Sequence, residues 1–161
     1  TIGYASYLSE LVLSLTPEGE QNELLFRLLL ETMRLMEEGG AEILTRSFEI
    51  KAAALMGYRP VLDACAHCGE PLAGRLFFSA EAGGALCQNC PAGDARAVPV
   101  SRGMVEILKA LLNWPQGRLR QLKISAADRR QIKTLLYEYL KYYLERDLKS
   151  VSFLNRFTAD P

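Results

Sequence analysis

Cys65-Ala66-His67-Cys68 and Cys87-Gln88-Asn89-Cys90 are two C-x-x-C pairs with 18 residues between them. A turn of this kind presents two thiolates from one loop, and two such turns that face each other can complete a tetrahedral zinc site. The spacing falls within the range typical of zinc modules, and Gly69 suits the tight turn that follows Cys68. The sequence therefore predicts a zinc site formed by Cys65, Cys68, Cys87 and Cys90.

Three other uses of four cysteines compete with zinc. Disulfides fit an oxidising compartment, but no secretory leader is visible, and a chain of this size has a core without them. A redox C-x-x-C pair needs a βαβ setting, which the sequence does not indicate. An iron–sulfur cluster also takes four thiolates, although paired turns favour zinc. Because four thiolates close the coordination shell, the site is expected to be structural rather than catalytic.

His67 is the single histidine of the chain and lies between two of these cysteines. It could replace a thiolate as ligand, but four cysteines suffice, and we expect its ring to point outward. With one histidine, no Ser/His/Asp or Cys/His arrangement can be built. Neither a G-x-G-x-x-G motif nor a P-loop occurs. The sequence therefore predicts a protein that is not an enzyme.

Residues 63–99 differ in composition from the chain on either side, since they contain all four cysteines and five of the twelve glycines. Leu76–Ser79 and Ala85–Cys87 flank Gly83-Gly84 and predict a short β-hairpin. Such a hairpin is only marginally stable in water by itself, so a bound metal ion is expected to stabilise it. Residues 1–62 and 100–161 carry apolar residues at helical spacing. The predicted fold is a mostly α-helical bundle with an inserted four-cysteine, zinc-ribbon-like module.

The second helix is predicted to start at Thr16-Pro17, an N-cap followed by a first helical residue, and to end at Gly39-Gly40. One side carries leucines and methionines, and Phe26, Leu30 and Leu35 make much of the other side apolar as well. A helix that is apolar nearly all round is buried by neighbours on several sides. We therefore expect this helix at the centre of the bundle.

Two later helices have clear start signals. Ser101 is expected to cap a helix that reaches about Leu112. Ser125 and Asp128 resemble a capping box at the start of the longest amphipathic helix. Its apolar face is expected to pack on the N-terminal helices.

The 161 residues carry 19 Lys+Arg and 19 Asp+Glu, so the formal net charge is zero. This sum hides a gradient, because the net charge is −5 over residues 1–64, −1 over residues 65–100 and +6 over residues 101–161. Such asymmetry hints at an electrostatic docking face. An apolar fraction of 49% excludes disorder, and no apolar run approaches the roughly 18 residues of a membrane span. Because the chain starts without Met, we expect it to be part of a longer protein.

A cluster of cations precedes and opens the longest helix. Phosphate neutralisation needs several flexible cations on one side of a protein, and this stretch could supply them. Trp114 and the Tyr137/Tyr142 pair could stack bases, although they do not alternate with the charges as in single-strand platforms. A solvated helix face explains the cations equally well. The predicted contacts to DNA or another polyanion are Arg118, Arg120, Lys123, Arg129, Arg130 and Lys133.

The run Gly57-Tyr58-Arg59-Pro60-Val61-Leu62, followed after two residues by Cys65-x-x-Cys68-Gly69, resembles the RecO recombination mediators of bacterial DNA repair. The likeness continues through Phe78-Ser79, Gly83-Gly84 and Cys87-x-x-Cys90. It ends in Leu148-Lys149-Ser150 and Phe153-Leu154. It covers essentially the whole chain, and the four cysteines match the structural metal site of that family.

The resemblance implies a C-terminal helical domain whose N-terminal partner, an OB-fold of about 80 residues, is absent here. It also implies a non-catalytic, cytoplasmic and nucleoid-associated protein with no membrane contact. Such mediators bind and anneal single- and double-stranded DNA and join RecR to load RecA on DNA coated with single-strand-binding protein. The helical domain is where the acidic, apolar C-terminal tail of that protein docks. The missing OB-fold puts autonomous annealing in doubt for this chain.

A second hypothesis comes from a different class of protein. The same residues suit a zinc-stabilised helical interaction scaffold that has no role with nucleic acid. The salt dependence of DNA binding separates the two hypotheses.

Overall fold

The computed structural model describes residues 2–147 of the chain, with side chains for residues 2–144. Leu148-Lys149-Ser150 and Phe153-Leu154, which took part in the resemblance, lie outside the described residues. In chain order the elements are α1 (Ile2–Leu15), α2 (Glu23–Met36), α3 (Ala41–Leu55), β1 (Leu76–Ser79), β2 (Gly84–Leu86), β3 (Val98–Val100), α4 (Arg102–Asn113), a 3₁₀ helix (Gln116–Gln121) and α5 (Ala126–Asp147).

The helices form one bundle, and the sheet with the four cysteines is inserted between α3 and α4. The predicted fold class, a mostly helical bundle with a four-cysteine module, is therefore confirmed. We call residues 63–100 the cysteine module. None of the helices in the described part is long and apolar enough to cross a membrane.

Helix α3 is the centre of the bundle. It packs against α1, α2, α4 and α5, and nine of its fifteen residues are buried. Phe48 and Leu44 are completely inaccessible to solvent. Close packing on every side of one helix makes it the element on which the others depend.

The prediction that the second helix is central is wrong. Helix α2 buries one side, with Leu25, Leu29 and Met36, while Phe26 and Leu30 are 54% and 53% exposed. An apolar side chain does not determine its own burial, because that depends on how many neighbours surround its helix. In the described part of the chain, α2 packs mainly against α1, α3 and the 3₁₀ helix, and its outer side faces solvent.

The predicted start of the second helix at Thr16 is also wrong. The Thr16 hydroxyl donates to the carbonyl of Val12 and so belongs to the end of α1. Asn22 caps α2 instead, since its Oδ1 accepts a hydrogen bond of 3.0 Å from the Leu25 amide. A cap needs an acceptor that returns to the first turn, and Thr16 uses its hydroxyl in the other direction.

The caps predicted for the later helices are confirmed. The amide of Met104 donates to Ser101 Oγ at 2.9 Å at the start of α4. The amide of Asp128 donates to Ser125 Oγ at 3.1 Å at the start of α5. Both serines satisfy an amide that has no partner within its own helix.

The sheet has the order β2-β1-β3, and both pairs of strands are antiparallel. The hairpin of β1 and β2 was predicted, whereas β3 was not. Leu76 and Phe78 point to the bundle core, while Phe77 and Leu86 point to the cysteines. The alternation of side chains along a strand thus assigns one face of the sheet to each hydrophobic cluster.

Gly84 allows the segment after α3 to cross the hairpin. Val61 lies against Gly84, where its carbonyl accepts from the amide of Ala85 at 2.8 Å and its amide donates to Gly83 at 2.9 Å. A Cβ at Gly84 would lie 2.1 Å from the Val61 carbonyl oxygen. Only glycine fits such a close approach of two backbones.

Tyrosines join α5 to the cysteine module and to the segment just before it. Tyr139 donates to the carbonyl of Tyr58 at 2.7 Å, and Tyr143 donates to the carbonyl of Ala80 at 3.1 Å. The rings of Tyr58 and Tyr143 stack with their centroids 4.3 Å apart, and the Phe78 ring lies 5.8 Å from that of Tyr139. The Tyr139 and Tyr143 rings bury apolar area while their hydroxyls satisfy backbone carbonyls.

A buried network of three hydrogen-bonded polar side chains joins α1 to α3. The Tyr7 hydroxyl donates to Glu49 Oε1 at 2.7 Å, and Arg46 reaches both carboxylate oxygens at 2.8 Å. Burial raises the pKa of Glu49, and the positive charge of Arg46 opposes that rise. Because removing one partner leaves the others buried and unsatisfied, this group determines how the two helices pack.

We expect Phe48→Ala to lower the free energy of unfolding by about 3–5 kcal/mol, since it empties the centre of the bundle. The matched change Phe26→Ala on α2 should cost less than about 1 kcal/mol, because this ring is half exposed. Urea denaturation followed by far-UV circular dichroism measures both. Equal losses for the two variants would contradict the central position of α3.

Candidate metal centre and the adjoining groove

The two C-x-x-C pairs face each other in the cysteine module. The Sγ atoms of Cys65, Cys68, Cys87 and Cys90 all lie within 4.8 Å of one another. Cys68 Sγ is 3.8 Å from Cys87 Sγ, which is 3.5 Å from Cys90 Sγ. A tetrahedral ion with bonds of about 2.3 Å requires sulfurs about 3.8 Å apart. The four thiols can therefore hold one metal ion without rearrangement of the backbone.

Backbone hydrogen bonds shape both loops that carry the cysteines. The first loop closes where Gly69 donates to the carbonyl of Cys65 at 2.9 Å, with Gly69 at a φ of 78°. The second closes where Cys90 donates to the carbonyl of Cys87 at 3.2 Å. The amide of Ala66 donates to Ala85 on β2 at 2.7 Å. Through this bond the hairpin places the two loops opposite each other.

Without a bound cation, the cluster favours negative charge on one sulfur and disfavours it on its neighbours. Burial raises the pKa of the Cys65 thiol, but backbone N–H groups of Cys68, Cys87 and His67 outweigh this effect and lower the pKa to about 6. A hydrogen bond with Cys87, burial and the neighbouring sulfurs raise the pKa of Cys90 to about 12. Four thiolates at these distances repel one another, so a cation at the centre is needed for all of them to ionise.

His67 is exposed on the first loop and is not part of the four-ligand cluster. All four cysteines are free thiols rather than disulfides. The donor set is therefore four sulfurs from two facing loops.

A groove of about 680 Å³ runs between the cysteine module and α5, and we call it the α5 groove. Apolar side chains, among them the buried Phe78 and Leu135, form its floor. Three cationic side chains, Arg96, Arg130 and Lys141, and one acidic side chain, Glu138, line the groove. The residues that line it include Phe78, Ala95, Arg96, Val98, Arg130, Leu135, Lys141 and Tyr142.

The six predicted cations do not share one surface. Arg120 pairs with Glu38 at 3.0 Å, and Arg129 pairs with Glu42 at 3.3 Å, so both face the N-terminal helices. The guanidinium of Arg118 stacks on the ring of Trp114 at 4.1 Å.

The other three predicted cations lie apart from these. Arg130 lines the α5 groove, and Lys133 is half-buried and acts on the buried Glu49 through its charge. Lys123 is exposed in the segment before α5. Among the six, the α5 groove therefore receives only Arg130.

Sequence reasoning missed Arg96 and Lys141 as residues of the groove. Lys141 follows Arg130 by three helical turns, so the periodicity of α5 could have revealed that they share a side. Arg96 had no such signal, because it reaches α5 only through the pairing of β3 with β1.

A family model described as "Recombination protein O C terminal" matches residues 1–152 of the chain. A DNA repair protein RecO from Pelotomaculum thermopropionicum is 56% identical over 160 residues, which cover 99% of this chain and 62% of that protein. Proteins of the same name from Desulforamulus reducens and Roseiflexus sp. are 37% and 40% identical, covering 94% and 96% of this chain and 60% and 55% of theirs. The chain thus spans about three-fifths of the length of these relatives.

We expect the purified chain to contain about one equivalent of metal, and Cys90→Ser to lose it, because three thiolates hold a structural ion poorly. Elemental analysis of protein purified without added metal measures the content. His67→Ala is the control and should keep its metal. A wild-type content below about half an equivalent would contradict a metal centre with a closed shell.

Proposed function

Since the chain belongs to the RecO family of recombination proteins, we propose that it is the part of a non-catalytic DNA repair mediator that docks a partner protein. In this proposal the α5 groove holds the acidic, apolar C-terminal tail of single-strand-binding protein. The rest of the mediator, including the OB-fold that the family resemblance implies, provides most of the DNA binding and annealing. Together with RecR it loads RecA.

The observation that carries this proposal is the chemistry of the α5 groove. Phe78 and Leu135 offer an apolar floor, and Arg96, Arg130 and Lys141 offer positive charge around it. A peptide with carboxylates next to apolar side chains matches both parts. Charged groups speed its approach and fix its register, while the floor provides burial.

We assign zinc to the four-cysteine site. Soft thiolate ligands in tetrahedral positions select zinc over harder cations. Because all four positions are filled by protein, the ion has no open site for substrate and serves the fold. This assignment agrees with a mediator that carries out no bond-making chemistry of its own.

DNA contact by this part of the protein is a secondary role in the proposal. Arg118 and Lys123 are exposed near the start of α5 and can approach phosphates. Arg120 and Arg129 already have carboxylate partners, so they add little positive potential. That pairing favours the second hypothesis, a zinc-stabilised interaction scaffold without a nucleic-acid role, for the isolated chain.

For the docking role, we expect Arg130→Glu to weaken binding of a fluorescein-labelled peptide, made of several aspartates and a terminal Phe with a free carboxylate, by about tenfold or more. Lys123→Glu makes the same charge change outside the groove and should leave the affinity nearly unchanged. Fluorescence anisotropy measures both variants. If the two substitutions weaken binding equally, net charge rather than the α5 groove determines the affinity.

For the DNA role, we expect the affinity for a single-stranded oligonucleotide to fall steeply with salt. The double substitution Arg118→Glu with Lys123→Glu should reduce the slope of log affinity against log salt by roughly 2, because each lost phosphate contact reduces it by about one. A filter-binding titration at several salt concentrations measures the slope. A slope near zero for the wild-type chain would favour the scaffold hypothesis.

A further inference from the structure

Different interactions hold the two walls of the α5 groove in place. Leu135, on the α5 wall, belongs to the large hydrophobic core of the bundle, and so does Phe78 on β1. Ala95 and Arg96 on the opposite wall lie in the loop between the second cysteine pair and β3. Neither residue belongs to the bundle core.

The loop that carries Arg96 is held mainly by polar contacts and by the cysteine loop before it. Asp94 donates its amide to Pro91 at 3.0 Å, and its Oδ1 accepts from the Arg96 amide at 2.9 Å. Its other carboxylate oxygen accepts from the Ser79 hydroxyl on β1. Only five residues separate Cys90 from Arg96, so the position of Cys90 limits where this rim can lie.

The hydrophobic cluster below this part of the module is small. Its buried members are Cys65, Leu86 and Cys87, and two of the three are ligands of the candidate metal site. A cluster of this size does not fix a structure alone, and a bound metal ion normally supplies the missing free energy. The bundle has its own large core and does not share this dependence.

We propose that a metal ion in the four-cysteine site and an acidic peptide in the α5 groove strengthen each other's binding, because the ion holds the loop that places Arg96 on the groove rim. This inference rests on the proposed function and adds its regulation. The coupling is reciprocal, since two ligands that favour the same conformation must each raise the affinity of the other by the same factor. The metal site therefore acts as a control on partner docking.

The test uses the whole chain with its metal and the labelled aspartate-phenylalanine peptide. Peptide affinity is measured before metal removal, after removal with a chelator under reducing conditions, and after addition of Zn²⁺. We expect the affinity to fall by roughly tenfold or more without metal, within the usual range of coupling between sites, and to return with Zn²⁺. Far-UV circular dichroism should show that the helices persist throughout.

The reverse measurement starts from the metal-loaded protein and asks how the peptide changes its affinity for metal. Competition with a chromogenic chelator gives the metal affinity with and without saturating peptide. We expect the peptide to raise the metal affinity by the same factor as the metal raises peptide affinity. In Arg130→Glu, which binds peptide weakly and retains all four cysteines, this effect should disappear.

A variant of the loop distinguishes the effect of the position of Arg96 on peptide binding from the effect of the metal ion. Asp94→Ala keeps the four ligands but frees the loop from β1, so we expect full metal content and weaker peptide binding. Glu81→Ala, an exposed acid on the hairpin turn, is the matched control and should change neither quantity.

The coupling is overturned if the metal-free chain keeps its helices and binds the peptide as tightly as before, or if peptide leaves the metal affinity unchanged. Either result leaves the docking role of the α5 groove intact. Failure of the metal-loaded chain to bind the peptide at all would instead overturn the proposed function, and the coupling with it.

Discussion

Four sulfur atoms approach within 4.8 Å of one another on the face of the sheet that has only a small hydrophobic cluster of its own. A cation bound to the four thiolates would balance their mutual repulsion and would hold both cysteine loops at one point. Through the hydrogen bond from Ala66 to Ala85, the position of those loops is passed to the hairpin. One face of the sheet adjoins these sulfurs, while its other face packs on the bundle core.

The convergence of the four cysteines could be predicted from the sequence because it depends on the spacing of neighbouring residues. A C-x-x-C turn places two sulfurs by itself, so spacing was sufficient to predict the four ligands. The caps at Ser101 and Ser125 are local in the same way, since each serine reaches an amide three residues later. The hairpin also follows from neighbouring residues, with glycines at its turn.

The features that sequence reasoning missed depend on contacts between distant residues. Phe26 and Leu30 are as apolar as the buried side of α2, and only the number of neighbouring helices leaves them exposed. Arg96 lies in a segment without net positive charge and meets Arg130 only after β3 pairs with β1. Distant contacts also neutralise part of the charge gradient along the chain, because Glu38 pairs with Arg120 and Glu42 pairs with Arg129.

The aromatic residues give this molecule two separate optical reporters. The Tyr143 ring on α5 stacks on Tyr58 just before the cysteine module, and its hydroxyl donates to Ala80 within the module, so its near-UV dichroism depends on the docking of the module. The chain's one tryptophan, Trp114, lies at the corner between α4 and the 3₁₀ helix, with Arg118 stacked on it and Lys51 donating to its carbonyl. Undocking of the module should therefore change the tyrosine bands while the tryptophan band persists, so the unlabelled protein distinguishes local opening from loss of the bundle.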